Sequence, residues 1–172
     1  MISACKLRTC RLVVLSDICN LNKSKFVSNG MALKIIDYGS NEYQQMIKMR
    51  DDILRKPLGI TFDENELENE KNNLFIGAFD DDRMLGCCML VSDENKVVRL
   101  RQMAVLNDLQ GKGIGRALIQ FAENLARDRG YKKMVMHARK YAVGFYEKVG
   151  YRVTSGEFIE VTIPHVVMEK NL

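Results

Sequence analysis

The chain has 172 residues, 47% of them hydrophobic, with only two prolines and a net charge of +4. That is one domain's worth of sequence with enough apolar content for a sizeable core, and no apolar run approaches the roughly 20 residues that span a bilayer. The charge excess lies in residues 1–30, where Lys6, Arg8, Arg11, Lys23 and Lys25 face Asp17 alone, so neither a nucleic-acid nor a membrane partner is indicated for the balanced remainder.

Residues 1–30 read as a basic extension. Its apolar run Leu12-Val13-Val14-Leu15 falls short of the about 7 to 15 residues of a secretory segment. An organellar presequence shares its acid-poor composition, but Met31 followed by Ala-Leu-Lys-Ile-Ile marks the expected start of one functional domain over 31–172, with the extension upstream of the natural start or dispensable. Of the five cysteines, Cys5, Cys10 and Cys19 lie in the extension and Cys87-Cys88 in an apolar run. An odd count without regular spacing argues against a disulfide framework and for a reducing, cytoplasmic setting. No CxxC pair or neighbouring histidine accompanies the extension's cysteines, so no metal site is expected.

From Leu33 the elements follow in order. Leu33–Tyr38 reads as a strand, and Asn41 caps a helix through about Arg55 that Lys56-Pro57-Leu58-Gly59 terminates. Acidic Asp63–Lys71 is a loop or short helix. Leu74–Phe79 and Met84–Ser92 form a hairpin around Asp80-Asp81-Asp82-Arg83. Val97–Val105 is the fourth strand, and Arg116–Arg129 the helix after it, with Ile114, Ala117, Leu118, Phe121, Ala122, Leu125 and Ala126 on one face. Lys133–Arg139 is a fifth strand, Tyr141–Val149 a short helix closed by Gly150, and Tyr151–Phe158 and Pro164–Glu169 the last strands.

Between the fourth strand and its helix runs Gln110-Gly111-Lys112-Gly113-Ile114-Gly115. Glycines at a strand-to-helix turn leave backbone N–H groups uncovered, and the helix dipole adds partial positive charge there. Such a turn cradles phosphate, with a flexible connection as the plain alternative. Neither the Gly-x-Gly-x-x-Gly dinucleotide fingerprint nor a Gly-Lys-Ser/Thr P-loop has this spacing.

What is present is Gln-x-x-Gly-x-Gly after a strand ending Met-Ala-Val, with Phe145-Tyr146-Glu147-Lys148-Val149-Gly150-Tyr151 downstream. The combination resembles the GCN5-related N-acetyltransferases (GNAT) over about Leu33 to Leu172. The resemblance implies an α+β, three-layer α/β/α fold, its central twisted sheet mixed but mostly antiparallel, with about seven strands flanked by helices. It implies acetyl-CoA as co-substrate, held by Gln110, Gly111, Lys112, Gly113, Ile114, Gly115 and Arg116 at the pyrophosphate. Met103, Ala104 and Val105 would lie along pantetheine, their backbone polarising the thioester carbonyl. Lys112 and Arg116 are otherwise simply a solvated basic face.

Acetyl transfer to an amine needs an oriented thioester, a neutral amine and a proton for the departing thiolate. The family motif puts Tyr146 near the sulfur, and a phenol is protonated at neutral pH; a packing aromatic beside Phe145 is the plain alternative. The tail Ile163-Pro164-His165-Val166-Val167-Met168 resembles the branch of glyphosate N-acetyltransferase and its relatives, which end in Pro-His-x-x-Met and use that histidine as general base. His165 thus becomes the base, with Glu157 and Glu160 as substitutes and a satisfied strand histidine as the plain reading; His137 is given no role. The same branch holds an acidic substrate with arginines at positions matching Arg55, Arg101 and Arg139. Arginine grips carboxylates bidentately, so a small amine carrying an acid group is the implied acceptor. Thr162 stands where relatives often carry glycine, and Tyr151 replaces the usual phenylalanine. Acetylation of a protein amine and a non-catalytic acyl-CoA sensor are the competing readings. A monomer, or a homodimer through exposed strand edges, is expected.

Overall fold

A computed structural model describes residues 30–172; the basic extension, its three cysteines and the readings made for them lie outside the described residues. Eight strands form one sheet between helices, one more strand than the sequence suggests. β1 (Met31–Ile36), β2 (Leu74–Asp80), β3 (Arg83–Ser92) and β4 (Val97–Val105) make an antiparallel meander. β4 then pairs in parallel with β5 (Lys133–Arg139), but only over Val97–Arg99 against Lys133–Val135. Beyond those three rungs the two strands part, and the gap between them becomes the floor of a cleft.

β5 pairs along its whole length with β8 (Ile163–Asn171), and β8 carries both β6 (Arg152–Val153) and β7 (Phe158–Glu160) on its other side. The expected continuous strand Tyr151–Phe158 is therefore a correction. The chain leaves the sheet after Val153, where Ser155 Oγ accepts from the Val167 N–H at 2.8 Å, and returns only at Phe158.

Two helices fill the layers. α1 (Asn41–Arg50) starts one residue earlier than expected, because Ser40 Oγ accepts the Tyr43 N–H at 3.1 Å and is the cap in place of Asn41. It also ends earlier: Asp51–Arg55 is a widened turn, followed by a tight one at Lys56–Leu58 that closes at left-handed Gly59. α2 (Glu64–Asn69), capped by Asp63, and α4 (Val143–Glu147) are short. α3 (Ile114–Asp128) buries Ile114, Leu118, Ile119, Ala122 and Ala126 on one face of the sheet, while Tyr43, Met46 and Met49 of α1 cover the other. Each large apolar side chain buried this way contributes about 1.5–3 kcal/mol. Cys88 joins the α3 core and Cys87 the α1 core, as strand alternation requires. Among the described residues no helix is long and apolar enough to cross a membrane.

Candidate active site

The parting of β4 from β5 opens a cleft of about 1050 Å³ that runs from the start of α3 to the β7–β8 hairpin. At one end, Gly111 (φ +77°) and Gly113 (φ +84°) take left-handed conformations that bring the loop round into α3. No side chain caps that helix, and the N–H groups of Ile114, Gly115 and Arg116 have no acceptor among the described residues. Uncapped donors at the positive end of a 15-residue helix suit a phosphate. Gln110 braces the loop, its Nε2 donating to Asn107 Oδ1 at 3.1 Å and the Val105 carbonyl at 3.4 Å. A Cβ at Gly115 would lie 3.1 Å from both Met103 Cε and Phe145 Cζ, so a side chain there would crowd the cleft.

Of the expected cofactor contacts, Met103, Val105, Gln110, Gly111, Gly113, Gly115 and Arg116 line the cleft. Ile114 and Ala104 are instead buried in the two cores, and Lys112 is exposed outside the cleft wall.

At the centre stands Tyr146, half-buried, with its hydroxyl 3.7 Å from Met103 Sδ and its ring edge-on to Phe145. Burial above all, then the neighbouring Cys88, pushes its phenol above the usual tyrosine range, so it carries its proton at neutral pH. His165, 8% exposed, sits across the cleft on β8. Its Nδ1 lies 2.8 Å from the Ile163 carbonyl, which only accepts, so Nδ1 bears a hydrogen and, in the neutral ring, the lone pair is on Nε2. The ring stacks on Phe158, centroids 6.1 Å apart.

The β7–β8 end of the cleft carries a second network that the sequence left without a role. Arg99 Nη1 donates to His137 Nε2 at 3.2 Å, which obliges Nδ1 to donate to Glu160 Oε2 at 2.8 Å. Glu160 is thereby engaged, and Glu157 pairs with Lys140 at 2.5 Å away from the cleft, leaving His165 the unengaged base among the three candidates. The three arginines also differ. Arg55 lines the wall but is ion-paired with Glu66, stacked over Phe62 at 3.7 Å and bonded to the Thr61 carbonyl. Arg139 donates to the Leu54 carbonyl and Tyr141 hydroxyl, each at 3.1 Å. Arg101 is exposed in the cleft and, among the described residues, has no ion-pair partner.

A family model described as acetyltransferase (GNAT) domain matches residues 60–172. The chain belongs to this family. The uncharacterised N-acetyltransferase YjcF of Bacillus subtilis is 27% identical over 140 residues, 80% of this chain and 98% of its own length. YyaT of the same organism is 32% identical, but over 74 residues, 43% of this chain. The chain spans about half the length of YyaT. A solved candidate N-acetyltransferase from Lactobacillus plantarum superposes with a TM-score of 0.75 at 26% identity, covering 84% of this chain and 99% of that one. An aminoglycoside 6'-N-acetyltransferase complexed with coenzyme A shares the GNAT fold at TM-score 0.69 and 16% identity, over 81% and 96% of the two chains.

Proposed function

We propose that the chain transfers acetyl from acetyl-CoA to the amine of a small, carboxylate-bearing acceptor, directly and within a ternary complex. The pyrophosphate rests on the α3 N-terminus, and the thioester lies along Met103–Val105. The neutral amine attacks the carbonyl carbon, a C–N bond forms, and the C–S bond breaks. The amine's proton passes to His165 Nε2 and the departing sulfur takes one from Tyr146. The observation that carries the reading is the Nδ1–H of His165 held by the Ile163 carbonyl, which leaves a lone pair in a cleft that also contains a protonated phenol. Membership of the GNAT family and the coenzyme A complex of a neighbour support acetyl-CoA as donor.

Arg101 and Arg139 give the acceptor side a cationic floor, while Arg99 is ion-paired with Asp93 and Arg55 acts through its pair with Glu66 to shape the wall. An acid group on the acceptor would pair with Arg101. Thiol release from acetyl-CoA in a panel of amines, each offered as free acid and as amide, tests this. Acids should be preferred by about 30-fold or more in kcat/KM, the effect of breaking a desolvated charge pair. Equal turnover of acid and amide removes the anionic acceptor, turnover of peptide amines alone favours a protein substrate, and binding without thiol release favours a sensor.

A further inference from the structure

We infer that a buried cluster of Arg50, Glu70 and Gln102 is a positioning device that holds the β4 backbone in the shape that presents Met103–Val105 to the thioester. The inference rests on the acetyl-CoA reading above. Arg50, the last residue of α1, is wholly buried, and Glu70, just after α2, is 5% exposed. The guanidinium donates to both Glu70 oxygens, at 2.8 and 2.6 Å, and its Nε donates to Gln102 Oε1 at 2.6 Å. Gln102 Nε2 donates back to Glu70 Oε1 at 3.3 Å, so both ends of the amide are gripped. Tyr43 Oη adds a hydrogen bond to Glu70 at 3.5 Å, and Phe62 covers the guanidinium. A buried ion pair is a poor way to gain stability, since well-packed apolar residues often serve as well or better. This one touches a residue whose backbone needs holding.

Gln102 has φ +50°, a region that residues with side chains avoid. The β3–β4 register slips at that point: Arg101 faces Met89 and Ala104 faces Cys87, so Gln102 and Met103 together oppose the single residue between. This is a β-bulge, and it inverts which face each side chain takes. Before it, Val98 and Leu100 belong to the α3 core. After it, Met103 and Val105 pack there, and Ala104 turns to the α1 core. Without the slip Met103 would point away from Tyr146, and the backbone groups that a bulge frees from the ladder would be paired. The same cluster joins the acceptor wall, because Arg50 precedes the turn that carries Arg55 and Glu70 follows the helix that carries Glu66.

Infrared difference spectroscopy of carbonyl-¹³C acetyl-CoA bound to the full chain reads the polarisation directly, and calorimetry reads affinity. Bound to the unmodified protein, the thioester stretch should move to lower frequency. In Gln102→Ala and Gln102→Leu that displacement should be largely lost and thiol release should slow by about ten- to a hundredfold, as for a slightly misplaced reacting group. Affinity for acetyl-CoA should stay within about threefold, since the pyrophosphate cradle is untouched. Gln102→Gly should recover most of the displacement and rate despite losing the whole side chain, because glycine takes positive φ unaided. A packing role reverses that order, with glycine the worst. Arg50→Lys, which keeps the charge and removes the Nε donor, should resemble Gln102→Ala and serves if that variant folds poorly. A wild-type stretch and rate in both Ala and Leu variants, or glycine lowest of the series, overturns the clamp. Failure of the unmodified protein to bind acetyl-CoA overturns instead the functional reading on which it rests.

Discussion

Val161 and Thr162 form the two-residue tip of the β7–β8 hairpin, and both have positive φ, +48° and +65°. A two-residue connection of this kind asks for positive φ at both positions, which Asn-Gly supplies at little cost. Both residues here are β-branched, for which the left-handed region costs at least about 1–2 kcal/mol each. Glycine at the position of Thr162 is thus the residue that its backbone calls for. Replacing the pair by Val161→Asn with Thr162→Gly should relieve about 2–4 kcal/mol of strain. Against this stand about 0.5–1 kcal/mol of extra glycine entropy in the unfolded chain and the exposed bond from Thr162 Oγ1 to the Val161 carbonyl. The net gain of about 1–2 kcal/mol corresponds to a rise in Tm of about 2–8 °C for a domain of this size. Thermal unfolding followed by circular dichroism measures it. An unchanged or lowered Tm would refute the reasoning, since it would mean that neither residue is held at positive φ.

Further outcomes follow from the cleft. Gly113→Asp puts a Cβ at φ +84° and a negative charge at the uncapped start of α3, and should weaken acetyl-CoA binding at least tenfold by calorimetry; unchanged affinity in a folded variant rejects the cradle. Tyr146→Phe should lower kcat while leaving acetyl-CoA affinity within about twofold, whereas His165→Ala should remove the acidic limb of the pH–rate profile; survival of that limb makes Glu160 the better base. Burial pushes the Cys87 thiol up to about 12 and Cys88 higher still, so both remain uncharged at pH 8 and iodoacetamide should label neither until the protein unfolds. Mass spectrometry of native protein checks this, and labelling of either at the rate of a free thiol would show that the sheet opens.

Much of the fold was legible because the signals are local. The glycine loop, the apolar stripe of α3 and the strand Lys133–Arg139 each depend on neighbours within a few residues. Misreadings came where distant contacts decide. Tyr151–Phe158 has the composition of a strand, but β8 offers pairing only at Arg152–Val153 and again from Phe158, and the residues between bulge out. The helix from Asn41 to Arg55 has no proline to stop it at Arg50, yet it widens just after that residue, which pairs with distant Glu70. Three matching arginines looked equivalent until Glu66, supplied by α2, engaged one of them.

The bulge in β4 lies between these cases. Apolar residues fall at 98 and 100 and then at 103 and 105, so the period-two pattern slips by one at Gln102, and a strict count along the strand exposes it. Nothing local says why the slip is stable. Its support comes from Arg50 and Glu70, 52 and 32 residues away along the chain, whose charges would be costly to bury without one another. A polar residue at the point where a strand changes phase is therefore a reason to look for a distant buried pair. In this chain the pair and the phase change meet beside the backbone on which acyl transfer would depend.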